Sequence, residues 1–195
     1  LDFTSGIGVT CLGHSHPALV SALTEQAGKL WHCSNLFKIK GQESVAKKIT
    51  DHSFAEKVFF CNSGAEAIEA GIKALRRYFY TNGKKNKNKI ICVKNAFHGR
   101  TYAAISASGQ SRMLEGFLPA LNGFEQVEFN NIDAINKKID HNTAGILIET
   151  IQGEGGITPA NKKYLRDLND IAKEKDLLLF FDEVQCGVGR TGKFL

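Results

Sequence analysis

Four short segments hold the side chains best suited to chemistry. In CNSGAEA (61–67) a serine stands where a strand gives way to a helix, with Glu66 three positions on. Ser63 can accept from the first turn and Glu66 can return the bond, while the remaining N–H groups and the helix dipole form an anion site. Plain N-capping explains the same pattern with no ligand. NAFHGRT (95–101) brings together an aromatic face, an imidazole and a guanidinium. Phe97 can cover a planar ring and Arg100 can grip a carboxylate through two parallel bonds. His98 by itself is more often a packed, hydrogen-bonded histidine than a catalyst. ETIQGEGG (149–156) sets Glu149 at a strand end and Glu154 in a glycine-rich turn. Two carboxylates at that spacing suggest paired acid–base work, though the glycines also explain themselves as loop geometry. Finally, Asp182 follows the apolar run LLLFF (177–181). A carboxylate buried there is costly unless it faces a cation or a donor, either a structural partner or a protonated pyridine nitrogen.

Two further motifs mislead. GVGRTGK (187–193) fits a phosphate-binding loop, and LLLFFDE fits the acidic strand end that holds Mg²⁺ in nucleotide hydrolases. The residue after Lys193 is Phe194, where that loop needs a Ser or Thr hydroxyl. The two motifs also belong on different strands, whereas one short loop joins them here, so NTP hydrolysis is rejected. His14-Ser15-His16 is rejected as a metal site, because His16 precedes Pro17 at a helix start and no third ligand is near in sequence.

The elements that must position these residues read as an alternating series. Helices are expected over 17–32, about 42–52, 65–80, 131–139 and 160–175. In 65–80 the apolar face is read as Ala67, Ala70, Ala74 and Tyr78, and in 160–175 as Tyr164, Leu168, Ile171 and Ala172. Strands are expected at KVFFC (57–61), IICV (90–93), VEF (127–129), GILIE (145–149) and LLLFF (177–181). Continuous Ile/Leu/Val/Phe strands separated by amphipathic helices imply an α/β fold, a mostly parallel sheet with helices on both faces. Ligands of such sheets bind beyond the carboxyl ends of the strands, and the segments 62–65, 95–100, 152–156 and 182–185 all fall there.

Composition is consistent with that class. The chain has 195 residues, 43% hydrophobic and 23% charged, which excludes disorder and collagen-like repeats. A chain of this size buries roughly 70% of its unfolded surface without staples. No apolar run approaches the roughly 18 residues of a membrane span. The net charge is +5, concentrated in Lys84, Lys85, Lys87 and Lys89, read as a solvated turn rather than a nucleic-acid or membrane patch. Five scattered cysteines without a CxxC pair suggest reduced thiols in a cytoplasmic protein. Residue 1 is Leu and the only Met is Met113, so the chain reads as a piece of a longer one.

Taken in order, NSGAEA, AFHGRT, ETIQGEGG and LFFDEVQCGVGRTG resemble the class-III, fold-type-I aminotransferases that use pyridoxal phosphate, and the likeness covers essentially the whole chain. SGIGVTCLGHSHP and HCSNLF are most similar to the branch acting on acetylornithine, including members that also serve succinyl-diaminopimelate. The resemblance implies an incomplete large domain, with 1–40 leading into it and 41–195 forming part of the cofactor-binding domain. It implies that Ser63, Gly64 and Ala65 hold the cofactor phosphate and that Phe97 stacks on the ring. Asp182 would pair with the ring nitrogen and Gln185 would bond the ring oxygen, with Glu183 and Val184 beside them. Arg100 would bind the α-carboxylate, Glu154 would gate a second arginine, and Glu149 would line the site; Asp182 and Glu154 are the catalytic candidates. The implied substrates are an amino acid and a 2-oxo acid, the implied assembly a homodimer in the cytoplasm, with no nucleic acid, membrane or metal.

One departure from the family pattern matters. The lysine that anchors the cofactor lies roughly thirty residues past the aspartate in that family, beyond Leu195, and Lys193 is too near Asp182 to replace it. Another class-III ω-aminotransferase, using ornithine or 4-aminobutyrate, is the first alternative, and a noncatalytic dimerising fragment is the second.

Overall fold

A computed structural model describes all residues, Leu1–Leu195. The chain forms two units, Leu1–Phe59 with Gly187–Leu195, and Phe60–Cys186.

The first unit holds α1 (Ser5–Gly8), a single distorted turn in which Gly6 and Ile7 have positive φ, and two regular helices, α2 (Pro17–Ala27) and α3 (Lys40–Asp51). Pro17 at the first helical position starts α2, and His16 Nδ1 accepts the Ala18 N–H. His14 Nε2 lies 3.0 Å from Asp2 Oδ2, so both histidines of that motif have local partners. The glycine loop after Gly187 bonds to itself: the Val188 and Gly189 N–H groups donate to Phe194 O and Lys193 O. They are therefore turned inward and do not cradle a ligand.

The second unit is built on a four-stranded parallel sheet in the order β2-β1-β3-β6, from β1 (Lys89–Val93), β2 (Phe124–Val127), β3 (Thr143–Glu149) and β6 (Leu178–Asp182). β1 and β3 are almost wholly buried, as parallel strands covered on both faces must be. Side chains alternate between faces. Ile90 and Cys92 join Leu147 under α4 (Gly64–Thr81) and α5 (Tyr102–Ala107), while Ile91 and Val93 join Ile146 and Ile148 under α7 (Ile132–Lys138) and α8 (Lys162–Glu174). A short hairpin of β4 (Ile151–Gln152) and β5 (Thr158–Pro159) follows β3, and α6 (Ser111–Leu114) is one turn.

Several expectations need correction. KVFFC forms no strand: no neighbouring strand pairs with it, and Phe59 is 78% exposed. Strand state depends on a hydrogen-bonded neighbour as much as on β-branched or aromatic composition. The sheet-facing stripe of α4 is Ile68, Ile72, Leu75 and Phe79, displaced from the expected alanine face. Those side chains remove more apolar area from water than alanines do, so they win the buried side. The stretch expected at 127–129 pairs instead as Phe124–Val127. In α8 the buried side chains are Tyr164, Leu168 and Ala172, with Ile171 only half-buried.

The lysine-rich turn is paired with acidic groups far along the chain. Lys84 and Lys87 both reach Asp176, and Lys89 reaches Asp140, while Lys85 lies over the Tyr80 ring. No helix is long and apolar enough to cross a membrane.

Candidate cofactor site at the sheet edge

Three of the chemically equipped segments leave the carboxyl ends of parallel strands: Asn95–Arg100 after β1, Thr150–Gly156 after β3, and Glu183–Gln185 after β6. β3 and β6 run in register so that Glu149 stands beside Asp182 at the edge. The fourth segment, Ser63–Ala65, opens α4.

At that opening Ser63 and Glu66 cap the helix in a shifted capping-box pattern, Glu66 reaching the residue before the cap. Ser63 Oγ accepts the Glu66 N–H at 3.2 Å, and the Asn62 N–H donates to Glu66 Oε2 at 2.6 Å. The first intrahelical bond runs from the Ala67 N–H to Ser63 O, which leaves the N–H groups of Gly64 and Ala65 ahead of it. These two donors sit at the positive end of an 18-residue helix. Their neighbours come from the other loops. A Cβ on Gly64 would lie 2.8 Å from Val184 Cγ1, and one on Gly99 would lie 2.9 Å from Ala65 Cβ. Gly99 also has φ +111°, so the close approach and the backbone turn both require glycine there.

Asp182 is buried, with one hydrogen bond to each carboxylate oxygen. Its Oδ2 lies 2.8 Å from His98 Nδ1, and its Oδ1 accepts the Val184 N–H at 3.0 Å. Both side chains are almost wholly removed from solvent, His98 at 0% and Asp182 at 4% exposure. The His98 N–H donates to Ser108 Oγ, which fixes the imidazole's backbone, and His98 Nε2 is buried without a partner. A buried carboxylate at this strand end thus does have the donor it needs, and that donor is His98. Sequence flagged both residues but gave no sign that they meet.

Glu149 is buried as well, and its Oε2 accepts the Phe97 N–H at 3.1 Å. Burial pushes its carboxyl up to about 7, with nearby Asp182 adding to the rise and the Phe97 N–H and His98 opposing it. Phe97 is half-buried and Arg100 lies over its ring at 5.9 Å. Gln185 lies against the glycine-rich turn, its amide end at the place a Cβ on Gly153 would take. Glu183 Oε1 accepts from Thr150 Oγ1 at 2.9 Å, and Thr150 also meets Cys186 Sγ at 3.1 Å. Glu154 and Arg100 are exposed. The edge therefore gathers Ser63, Gly64, Ala65, Phe97, Asp182, Val184 and Gln185, and leaves Glu154 outside the hydrogen-bonded cluster.

Sequence reading missed four supports of this edge. Besides His98 in its pairing role, they are Ser108, Gln110, which donates to Ala96 O, and Gln152, whose Nε2 donates to Lys94 O at 2.8 Å. A polar residue in an apolar context was the only available signal.

The aminotransferase class-III model matches residues 1–195. The chain belongs to the class-III aminotransferases. Acetylornithine aminotransferase of Agrobacterium fabrum is 55% identical over 194 residues, covering 100% of this chain and 49% of its own. That of Aquifex aeolicus is 52% identical over 195 residues, covering 100% and 52%. Among solved structures, N-acetylornithine aminotransferase of Stenotrophomonas maltophilia superposes with a TM-score of 0.85 at 37% identity, covering 100% of this chain and 48% of that one. Ornithine aminotransferase of Toxoplasma gondii superposes at 0.93 with 31% identity, covering 100% and 47%. The chain spans about half the length of the curated relatives it matches.

Class-III aminotransferases use pyridoxal phosphate. The residues present fit that group. Two unbonded N–H groups at the start of α4 suit a phosphate, Phe97 offers a ring face, and the Asp182 carboxylate keeps free lone pairs.

Proposed function

We propose that this chain supplies the cofactor seat of an aminotransferase that takes the δ-amino group of N-acetylornithine and delivers it to 2-oxoglutarate. The names of the relatives at 52–55% identity support the substrate, and the junction of α4, Phe97, His98 and Asp182 at the sheet edge carries the cofactor assignment. In this reading Ser63, Gly64 and Ala65 hold the phosphate through the helix N-terminus. Asp182, oriented by His98 and the Val184 N–H, accepts from the ring nitrogen and keeps it protonated. Phe97 covers the ring, Gln185 bonds the ring oxygen, and Glu183 and Val184 line the seat. Arg100 binds the α-carboxylate of the amino or oxo acid, while Glu154 pairs with a second arginine when the substrate brings no second carboxylate. When bound, pyridoxal phosphate supplies an electron sink for the carbon that loses its proton.

The pathway role follows as arginine biosynthesis, with succinyl-diaminopimelate as a second substrate in lysine biosynthesis. A cytoplasmic homodimer is the assembly that accompanies this reading. Apolar side chains exposed on the first unit, such as Trp31 and Phe37, support a covered surface.

The test is titration of the chain with pyridoxal phosphate followed by absorbance and fluorescence, beside an assay for glutamate formation. Saturable binding is expected, competed by inorganic phosphate and weakened at least about tenfold in Asp182→Ala, a loss of one or two hydrogen bonds to a charged group. No glutamate is expected from the chain alone, because none of its lysines takes the anchoring position. Absence of phosphate-competed binding would overturn the proposal in favour of a noncatalytic dimerising segment, and turnover without an anchoring lysine would overturn the assigned roles.

A further inference from the structure

We infer that Glu149 is the positioning residue of the ring seat: its carboxylate fixes the backbone of Phe97 and does not touch the substrate. The inference rests on the cofactor seat proposed above. Glu149 ends β3 at 4% exposure, inside the packed edge and away from any open surface. Phe97 lies in a loop with no helix or strand of its own, between Asn95 at φ +60° and Gly99 at φ +111°. The flanking backbone on both sides is tied to Ser108, just past the end of α5. The Ala96 N–H donates to Ser108 O, and the His98 N–H donates to Ser108 Oγ. The Phe97 N–H alone reaches across to another strand, 52 residues away, at 3.1 Å. A buried donor in an irregular loop costs free energy if it is left unpaired, so removing the carboxylate frees this one residue to move.

The Gly153 N–H, in the turn that lies against Gln185, also stands near enough to favour the ionised form of this carboxylate. Glu149 is therefore hydrogen-bonded to the residue that would cover the ring and faces the turn beside the residue that would bond its oxygen. The charged groups facing it are His98, from the loop after β1, and Asp182, at the end of β6; no lysine or arginine is paired with it. Its raised carboxyl places both charge states within reach at neutral pH. The ionised form is the stronger acceptor, so the Phe97 bond tightens as pH rises.

Amide exchange of Phe97 by NMR, corrected for intrinsic rates, tests this from about pH 5.5 to 8.5. Ala96 and His98 serve as references because their bonds go to Ser108. Protection of Phe97 is expected to rise several-fold across neutral pH, and to become independent of pH in Glu149→Gln. In Glu149→Ala it should fall about tenfold, the loss of one bond to a charged acceptor, with the two reference amides unchanged. If Glu149→Ala loosens the references too, it has unfolded the edge, and Glu149→Gln decides. A flat pH profile in the wild type, or one that persists in Glu149→Gln, overturns the inference.

Ligand binding supplies a second readout. Glu149→Gln should weaken pyridoxal phosphate several-fold and leave inorganic phosphate binding unchanged, since the phosphate donors on α4 are untouched. Equal loss for both ligands, or no loss for either, overturns the positioning role. A wild type that shows the Phe97 exchange behaviour but binds no pyridoxal phosphate would overturn the proposed function and leave the Glu149–Phe97 tie standing.

Discussion

In Phe60–Cys186, α4, α7 and α8 each lay buried side chains on the sheet, whereas neither α2 nor α3 of the other unit buries a single residue. Composition does not explain the contrast, because both units are rich in apolar residues. Leu19, Val20 and Leu23 of α2 are 50–72% exposed, while Ile68, Ile72 and Leu75 of α4 are nearly inaccessible. The difference is the sheet. A helix of 11 or 12 residues is marginal on local forces alone and draws its stability from the surface it packs on. The first unit is shaped by local devices such as Pro17, the His16 cap and the Lys47–Asp51 pair. The second is shaped by burial, and only burial fixes side chains firmly enough to build a site.

Truncation at equivalent residue types breaks or sharpens that contrast. Leu147→Ala, on β3 at 0% exposure, should cost about 3 kcal/mol in denaturant unfolding. Leu23→Ala, 72% exposed on α2, should stay within about 0.5 kcal/mol. Equal losses would show that the first unit is buried in solution. A middle-sized effect is expected from Ser63→Ala, which removes the α4 cap and should cost about 1 kcal/mol in the same measurement. The smallest belongs to Asp140→Asn. The hydrogen bond from Lys89 holds the Asp140 carboxyl below its ordinary value, so its contribution is present above that value and lost as pH falls through the lowered one. At this exposed pair the loss should be a few tenths of a kcal/mol, seen in melting curves at neutral pH and vanishing in acid.

Legibility in the sequence followed the same division between local and long-range physics. The buried strands β1 and β3 announced themselves as Ile/Leu/Val runs, and α8 through Tyr164, Leu168 and Ala172. The cap at Ser63 was readable because its partners lie within four residues, though the return bond from Glu66 falls on Asn62. KVFFC has strand composition but no pairing partner, which composition cannot reveal. α5 was missed because YAAISA has little polar contrast between its faces, although Thr101 caps it by accepting the Ala104 N–H. At the site, residue types pointed to His98, Glu149 and Asp182 one at a time. The Phe97–Glu149 and His98–Asp182 contacts cross 52 and 84 residues of chain, and the stacking of β1, β3 and β6 brings them together.

The His98–Asp182 contact has a further consequence for the order of events in folding. Its 84-residue separation can close only after β1, β3 and β6 have stacked in parallel, each joined to the next by a crossover rather than a tight turn. Loop closure over such distances is paid in chain entropy before any contact is gained, which makes parallel sheets slow to assemble. The edge that would receive a ligand is thus completed last, after both hydrophobic layers. Nascent or half-folded chains hold the residues of the seat without the seat itself, and ligand capture would mark the end of folding rather than guide its beginning.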